Sequence, residues 1–291
     1  MTTKKDIIIL YLLITLEILI LFKSKLIVKN VYDTSLLYIN TIMPSLFPNM
    51  VLSNVIVKQD ISKVIPNKII NLFNKIFNFN KNVTTLFIMS FFTGSPTNII
   101  NINEYEEKGL INEKEAEYLS YITHSINPLF VIHAVGIGIF NDIKVGIILI
   151  FLQFISNITK VFIFKSKFNK KNKINTNTHH NNIVNNFKNS INTSINSLLI
   201  IFGVIVMFNI LITLITNIFN FNSIINTIIS ITLEITSGIL KINSLNINYV
   251  LKIIICYFAL NFGGICIHMQ SLSISKNKKI SYLKYLIFRI I

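Results

Sequence analysis

The chain alternates long apolar runs with short hydrophilic segments along most of its length. Most of the runs approach the roughly 20 residues that a helix needs to cross the hydrocarbon core of a bilayer. The pattern therefore predicts an all-α, polytopic membrane protein. The apolar runs lie at about 6–22, 36–57, 83–102, 116–140, 143–164, 191–217, 224–240 and 249–270, with a short one from 281 to 291.

The first apolar run follows Lys4 and Lys5, as the apolar core of a secretory signal would. No small-residue cleavage site follows Phe22, so the run is not typical of a cleaved signal peptide. We expect residues 1–30 to form an N-terminal membrane anchor helix.

One segment, 165–190, is rich in Lys and Asn and divides the chain into two halves. It carries no acidic residue, and short cytoplasmic loops collect Lys and Arg. We expect it to be a basic cytoplasmic linker, with the Lys-rich segments 58–81 and 276–289 on the same side. Its His179 and His180 are attributed to loop composition and not to a metal site.

Loop charge limits which runs can cross the membrane. If every run crossed, 58–81 would be inside but the linker outside, so one run of the first half must enter and leave on the same side. Run 83–102 is the best candidate because Gly94-Ser95-Pro96 interrupts it, and proline removes a backbone donor. The same count makes 224–240 a second re-entrant hairpin, with its tip at Thr236-Ser237-Gly238.

This topology predicts two inverted repeats, residues 31–164 and 191–291, joined by the linker. Each repeat contains a first helix, a re-entrant hairpin and an interrupted helix. The interruptions lie near Asn127-Pro128 in the first repeat and near Gly263-Gly264 in the second. Inverted repeats with discontinuous helices are typical of secondary transporters. Irregular backbone at membrane depth needs protein or a water-lined cavity around it, so we expect the four breaks to converge on one cavity.

Composition supports a membrane protein and argues against several other classes. Only 13% of the 291 residues are charged, whereas a soluble domain carries about 25%. The formal charge of +15 lies in the hydrophilic segments between apolar runs, which makes nucleic-acid binding the weaker explanation. Cys256 and Cys266 read as buried small residues. No HExxH, GxSxG, Walker A motif or paired catalytic carboxylate occurs, so we do not expect an enzyme.

Two breaks place a good N-cap residue before proline, as at a helix start: Ser95-Pro96 and Asn127-Pro128. Half-helices starting inside the membrane would turn unpaired N–H groups and positive dipole ends to the cavity, and such ends attract carboxylates and other anions. The alternative is a pair of proline kinks that only help helices to pack.

Glu234 is the only acidic residue after Asp142, and it lies in an apolar run. An ionisable group at membrane depth is costly and is a functional hypothesis by default. Glu234 could bind a coupling proton or cation, or hydrogen-bond the substrate while protonated. The alternative is a carboxyl group that satisfies backbone N–H groups at the hairpin tip.

Two histidines, His124 and His268, lie near the interruptions and could line a polar cavity. A lone membrane histidine also commonly forms an interhelical hydrogen bond. The acidic segment 104–117 predicts a solvated helix start at Asn112, with Glu113 and Glu115 favouring the N-terminus.

Several short stretches, in order along the chain, give it a family resemblance. The chain resembles the sporulation integral membrane protein family of the YlbJ type, also called SpoVV, within the nucleoside-recognition or Gate membrane domains. Residues 36–290 carry the resemblance, in Met43-Pro44-Ser45-Leu46-Phe47-Pro48, Thr93-Gly94-Ser95-Pro96-Thr97-Asn98, Glu115-Ala116-Glu117-Tyr118-Leu119, Ser125-Ile126-Asn127-Pro128-Leu129-Phe130, Leu233-Glu234-Ile235-Thr236-Ser237-Gly238 and Asn261-Phe262-Gly263-Gly264-Ile265-Cys266-Ile267-His268-Met269-Gln270.

The resemblance implies a plan similar to concentrative nucleoside transporters and a role in endospore formation. Family members are implicated in moving dipicolinic acid from the mother cell across the outer forespore membrane. Dipicolinate is a small planar dianion, which agrees with a cavity of helix N-termini, hydroxyls and amides.

The primary hypothesis is a multi-pass permease of a small anionic heterocycle. A membrane scaffold for spore assembly, with sporulation membrane proteins as partners, and a nucleoside carrier are the alternatives. A homo-oligomer is compatible with all three. No metal or cofactor is expected beyond a coupling proton or cation. The expected substrate-binding residues are Gly94, Ser95, Pro96, Thr97, Asn98, Thr123, His124, Asn127, Pro128, Glu234, Thr236, Ser237, Gly238, Asn261, Gly263, Gly264, His268 and Gln270.

Overall fold

A computed structural model describes residues 4–59, 64–168, 182–277 and 279–290, and within these ranges all regular structure is helical. The α-helices are α1 Lys4–Phe22, α2 Ser24–Leu37, α3 Met43–Lys58, α4 Asn67–Phe77, α5 Lys81–Thr93, α6 Thr97–Glu107, α7 Glu113–Ile122, α8 Pro128–Phe130, α9 Gly138–Phe140, α10 Ile143–Phe164, α11 Ile183–Phe219, α12 Ser223–Leu233, α13 Ile235–Asn243, α14 Tyr249–Phe262, α15 Gly264–Ile274 and α16 Tyr282–Ile290. Two π-helical turns, Tyr38–Ile42 and Val131–Ile137, join α2 to α3 and α8 to α9, and a 3-10 turn covers Lys165–Lys167.

Three helical stretches in the described residues are long and apolar enough to cross a membrane: Ile143–Phe164, Ile183–Phe219 and Tyr249–Ile274. A fourth candidate is the pair Asp6–Phe22 and Ser24–Lys58, which is bent by 92°. The prediction of an all-helical, multi-pass membrane protein is confirmed at this level. Inverted orientation of the halves and membrane re-entry of the hairpins stay predictions.

Helix boundaries differ from the apolar runs where polar residues continue a helix. The run predicted at 36–57 begins at Ser24, because Lys25, Lys29 and Asp33 are compatible with helical backbone although they lower the local hydropathy. Helix α4 lies in a segment predicted only as a basic loop. It is amphipathic and anchored by Phe73 and Phe77, which contact Phe79. The lengths of the apolar runs predict neither the helix start at Ser24 nor helix α4.

The linker is described only at its ends. Its first residues, to Phe168, follow α10, and α11 begins at Ile183. Residues 169–181, including His179 and His180, lie outside the described residues.

Each of the four predicted interruptions has a counterpart in the structure, three at the predicted residues and the fourth two residues before the predicted tip. Residues 94–96 separate α5 from α6, and residues 123–127 separate α7 from α8. Glu234 separates α12 from α13, and Gly263 separates α14 from α15. The helices on either side of each hairpin break pack against each other, α5 on α6 and α12 on α13.

The acidic segment departs from the solvated helix start that was expected. Asn112 does begin α7 with a capping box to Glu115. However, Glu115 is 1% exposed and Glu117 is 7% exposed, so the prediction of a solvated segment is wrong for these two. Glu115 accepts a hydrogen bond from Asn80 Nδ2 at 2.8 Å, at the start of α5. The chain after α15 returns over α6 and α7 and brings Lys276, Lys279 and Lys284 into ion pairs with Glu107, Glu113 and Glu117, respectively.

Candidate functional site

The two breaks of the first half lie directly against each other. The backbone N–H of Ser95 donates to the carbonyl of Ser125 at 2.6 Å. Asn98 Nδ2 donates to the carbonyl oxygen and the hydroxyl of Thr123, at 2.7 and 2.9 Å. Gly94 has φ +70°, and a Cβ atom there would lie 2.5 Å from the backbone nitrogen of Asn127. Only glycine allows this approach.

Asn127 begins the second of these helices as predicted. Its Oδ1 accepts from the backbone N–H groups of Leu129 at 2.9 Å and Phe130 at 3.4 Å, and Pro128 follows it in the first turn. Asn49 of α3 donates to the same oxygen at 3.4 Å. The N-terminus of the helix that begins at Pro128 is therefore already capped by the neutral amide of Asn127.

Ser95 does not cap α6, so that prediction is wrong. Pro96 occupies the N-cap position and no side chain caps the helix. The backbone N–H of Ser95 is held by Ser125, and its hydroxyl is 3.0 Å from Nδ1 of His124. Because these contacts direct Ser95 towards the break at residues 123–127, it joins the two breaks and leaves the first turn of α6 without a side-chain cap.

In the second half, Glu234 is the N-cap of α13. Its Oε1 accepts from the N–H of Thr236 at 2.9 Å and its Oε2 from the N–H of Ser237 at 2.8 Å. The turn of the hairpin is therefore Glu234 itself. The predicted tip, Thr236-Ser237-Gly238, lies inside the first turn of α13, because a capping carboxylate starts the helix immediately after it. The carboxyl group of Glu234 thus satisfies backbone N–H groups at the hairpin turn, which was the structural alternative to a coupling role.

Two glycines in the second interrupted helix allow the halves to meet. Gly263 has φ +82°, and a Cβ atom there would lie 2.9 Å from Nε2 of His124. Gly264 has φ +70°, and its Cβ would lie 3.1 Å from the backbone nitrogen of Ile235. The break at 263–264 thus contacts breaks of both halves. All four interruptions converge, as predicted.

The other predicted residues of this region make local contacts. His268 Nε2 lies 2.7 Å from the carbonyl oxygen of Phe262 across the break. Asn261 Nδ2 donates to the carbonyl of Tyr257 at 3.0 Å, and Gln270 Nε2 donates to Sγ of Cys266 at 3.2 Å. A Cβ atom on Gly238 would lie 2.5 Å from the backbone nitrogen of Ile231, so this glycine lets α13 pack on α12.

The convergence point contains a small cavity, here called the central cavity. The volume of the central cavity is about 40 Å³, which is enough for a few waters at most. Six of the predicted residues line it: Ser95, Pro96, Asn127, Glu234, Thr236 and Gln270. The other predicted residues do not line the central cavity, namely Gly94, Thr97, Asn98, Thr123, His124, Pro128, Ser237, Gly238, Asn261, Gly263, Gly264 and His268.

The central cavity has one ionisable group in the described part of its wall, which is the carboxyl group of Glu234. Lys241 of α13 does not line the cavity but is close enough to Glu234 to interact with it electrostatically. The neutral polar groups are a serine, a threonine and two amides, and the remaining wall is proline and apolar. An anion entering this space would meet a carboxylate that helix α13 holds in place.

Sequence reasoning missed the apolar wall of the central cavity. Ile42 and Leu46, on the helical stretch that ends in α3, line it, as do Ile201 and Ile205 of α11. Isoleucine is so frequent in this chain that no local pattern distinguishes these positions. Phe130 and Thr236 line both the central cavity and a neighbouring cavity of about 250 Å³.

A buried polar face of α10 was also missed. Gln153, Ser156, Asn157 and Lys160 are each at most 5% exposed. Asn157 Nδ2 donates to the carbonyl of His124 at 2.6 Å, so this face supports the break at 123–127 from behind. The i, i+3, i+4, i+7 spacing of polar residues in an apolar run was the available signal.

Comparison with known proteins gives limited similarity. No protein-family model matches the chain. The sporulation integral membrane protein YlbJ of Bacillus subtilis (strain 168) is 26% identical over 117 residues. These residues are 40% of this chain and 29% of the relative. No solved structure matches.

Proposed function

We propose that this chain is a membrane carrier of a small anionic heterocycle, with dipicolinate as the substrate during endospore formation. The name of the relative associates that protein with sporulation and an integral membrane location. In this proposal the chain acts in the outer forespore membrane, and the residues around the central cavity pass the substrate between the two sides.

The observation that carries the proposal is that three helix breaks line one cavity and that the fourth, at Gly263-Gly264, packs against two of them. A break at membrane depth leaves backbone groups without intrahelical partners, which is tolerated where protein or a cavity satisfies them. A structural bundle needs few such breaks. Four that converge, from two halves of the chain, are the arrangement by which carriers build a site from discontinuous helices.

The carboxyl group of Glu234 leads us to propose that transport of the anion is coupled to a proton or a cation. An anion at the centre is repelled by an ionised Glu234, and this repulsion is strong because the surroundings are apolar. Its passage therefore requires that a proton or a cation neutralise Glu234 in the same step. The carrier is accordingly proposed as an anion–proton or anion–cation symporter.

The closed size of the central cavity places a further requirement on the mechanism. At about 40 Å³ it admits waters but not a pyridine dicarboxylate. Substrate must therefore enter through another conformation, with Phe130 and Thr236 as the thin partition towards the cavity of about 250 Å³. Closing of a site around its substrate is common to carriers with inverted repeats.

Uptake of radiolabelled dipicolinate into vesicles containing the chain tests the proposal. Asn127→Ala removes the cap that holds one half-helix, and we expect uptake to fall about tenfold or more, since a lost cap and misplaced backbone donors cost over 1 kcal/mol. Asn189→Ala, at an exposed position of α11, is the matched control and should leave uptake unchanged.

Two results would contradict the proposed substrate. Absence of uptake by the parent chain at normal membrane abundance would end the carrier proposal for dipicolinate. Inhibition of uptake by excess uridine or adenosine would favour the nucleoside carrier instead. The scaffold alternative depends on the linker 165–190, of which residues 169–181 are not described.

A further inference from the structure

A second cavity, here called the vestibule, lies at the far end of α6 from the central cavity. Its volume is about 610 Å³, in the range of small-molecule sites, whereas the central cavity holds only waters. Helix α6 begins with Thr97 beside the break and ends with Glu107 in the vestibule wall. The vestibule is lined by residues of α3, α6, α11 and α15, together with Lys276.

The vestibule wall carries three lysines and two glutamates. Lys108 pairs with Glu104 at 2.7 Å, and Lys276 pairs with Glu107. Lys58 makes no ion pair within 4 Å in the described part of the chain, although Glu104 and Lys108 are close enough to interact with it electrostatically. The three lysines and two glutamates of this wall therefore have a net formal charge of +1, and Lys58 is the lysine that lies within 4 Å of neither glutamate.

Neutral polar groups also line the vestibule. Thr193, Asn196 and Ser197 of α11 lie within one turn of each other on one face of that helix. The hydroxyl groups of Thr193 and Ser197 donate to the carbonyls of Asn189 and Thr193 within α11, whereas the side-chain amide of Asn196 can donate to a second carboxylate without adding charge. The wall thus combines one cationic contact with a neutral amide donor, which suits a dianion of moderate size.

An apolar layer separates the vestibule from the central cavity. Ile100 of α6 lines the vestibule and belongs to the same buried cluster as Leu46, Ile201 and Ile267. The last three line the central cavity. In this conformation an anion can reach the vestibule but cannot pass this layer.

We propose that the vestibule is the access site at which a small heteroaromatic dicarboxylate first binds, with the ammonium group of Lys58 holding one carboxylate and the polar face of α11 the other. This inference rests on the proposed carrier function and extends it to a second, peripheral site. It assigns Lys58 to binding and not to the central step.

Equilibrium binding of radiolabelled dipicolinate to the purified full chain tests the vestibule site. Lys58→Gln should weaken binding about tenfold, since a charge-assisted hydrogen bond is lost. Lys58→Arg should retain most of the affinity because it keeps the charge. Lys68→Gln, at an exposed position of α4 that does not line the vestibule, is the matched control and should bind like the parent.

The outcomes separate this inference from the carrier proposal. In uptake assays, Lys58→Gln should raise the KM about tenfold with the maximal rate unchanged, whereas Asn127→Ala should lower the maximal rate. Equal binding by the parent and Lys58→Gln would overturn the vestibule site and leave the carrier intact. Binding that depends on Lys58 without any uptake would retain the site and refute the carrier. Absence of dipicolinate binding by the parent chain would refute the inference.

Discussion

At the residue scale, the breaks are held by groups that cap or approach backbone. Gly94 and Gly263 permit close contact at positive φ, where a Cβ atom would meet Asn127 and His124. Asn127 and Glu234 each satisfy two N–H groups at a helix start. These four residues fix the geometry of the centre, and Glu234 alone adds a charge to the central cavity.

A substitution of Glu234 can separate its structural role as a helix cap from its proposed role in transport. In Glu234→Gln, the side-chain oxygen can still accept one N–H, but the amide nitrogen faces the other, so we expect a loss of about 1 kcal/mol in stability. We also expect uptake to lose the pH dependence that proton coupling gives it, because the side chain can no longer carry a proton. Thermal unfolding checks the stability loss, and uptake across a pH series, beside Asp33→Asn at an exposed position, checks the coupling.

Retention of the parent's pH dependence by Glu234→Gln, with normal abundance, would remove Glu234 from proton coupling. The capping role would then be its entire contribution.

At the element scale, three glutamates lie close together where α6 ends and α7 begins. Glu106 and Glu107 end this helix, and Glu113 begins α7 nearby. Glu107 and Glu113 have lysine partners, whereas Glu106 accepts a hydrogen bond from Asn277 Nδ2 at 3.3 Å and has no lysine within 4 Å among the described residues. Burial, followed by repulsion from Glu113, raises the pKa of Glu106.

A raised pKa means that ionisation of Glu106 opposes folding. Its contribution to stability is complete below the unfolded-state pKa and is lost as pH rises through the folded-state pKa. Glu106→Gln should therefore raise stability at pH 8, by about 0.5 kcal/mol or less because the site is largely solvated. Thermal unfolding in detergent at pH 8 and pH 4 measures this gain.

The gain should disappear at pH 4, where the parent side chain is largely protonated. Glu107→Gln provides the contrast, because it removes the ion pair with Lys276 and should not stabilise the protein. A stabilisation by Glu106→Gln that persists at pH 4 would contradict the electrostatic explanation.

At the scale of the whole molecule, the last described segment ties the second half back onto the first. Asn103 Nδ2 donates to the carbonyl of Ile274 at 2.8 Å, and Tyr121 accepts from the backbone N–H of Ser281 at 2.9 Å. Helix α16 then buries Phe288 against Phe164 of α10, with ring centroids 4.4 Å apart. Helix α16 therefore packs the last described segment of the second half onto α7 and α10 of the first half.

The pair of Lys284 and Glu117 tests this closure. The two groups are 3.4 Å apart, and Glu117 is largely buried. Lys284→Glu places a like charge beside it and should cost about 1 kcal/mol, more than the loss of an exposed pair. We expect a lower unfolding midpoint and faster amide hydrogen exchange in residues 282–290.

Lys188→Glu makes the same charge reversal at an exposed position of α11 and should leave both measurements unchanged. Equal effects of the two variants would show that net charge, and not closure by α16, determines stability.

The sequence by itself determined the all-helical membrane class and the positions of three of the four breaks. Run length and the special backbone of glycine and proline are local properties, so the breaks near Gly94, Asn127 and Gly263 could be predicted directly. Amphipathic α4 was missed because it is too short for a hydropathy signal. The turn at Glu234 was placed two residues late because a glutamate seldom signals a helix start.

Only the tertiary structure decided what the breaks enclose. Proximity between residues far apart along the chain, such as His124 and Gly263, is not encoded in any local pattern. The same holds for the hydrogen bond of buried Glu115 with Asn80, for the ion pair of Glu117 with Lys284 of α16, and for the vestibule lined by α6 and α11. A side chain's partners follow from the packing of whole helices, because the chain specifies backbone conformation locally but contacts only through the complete fold.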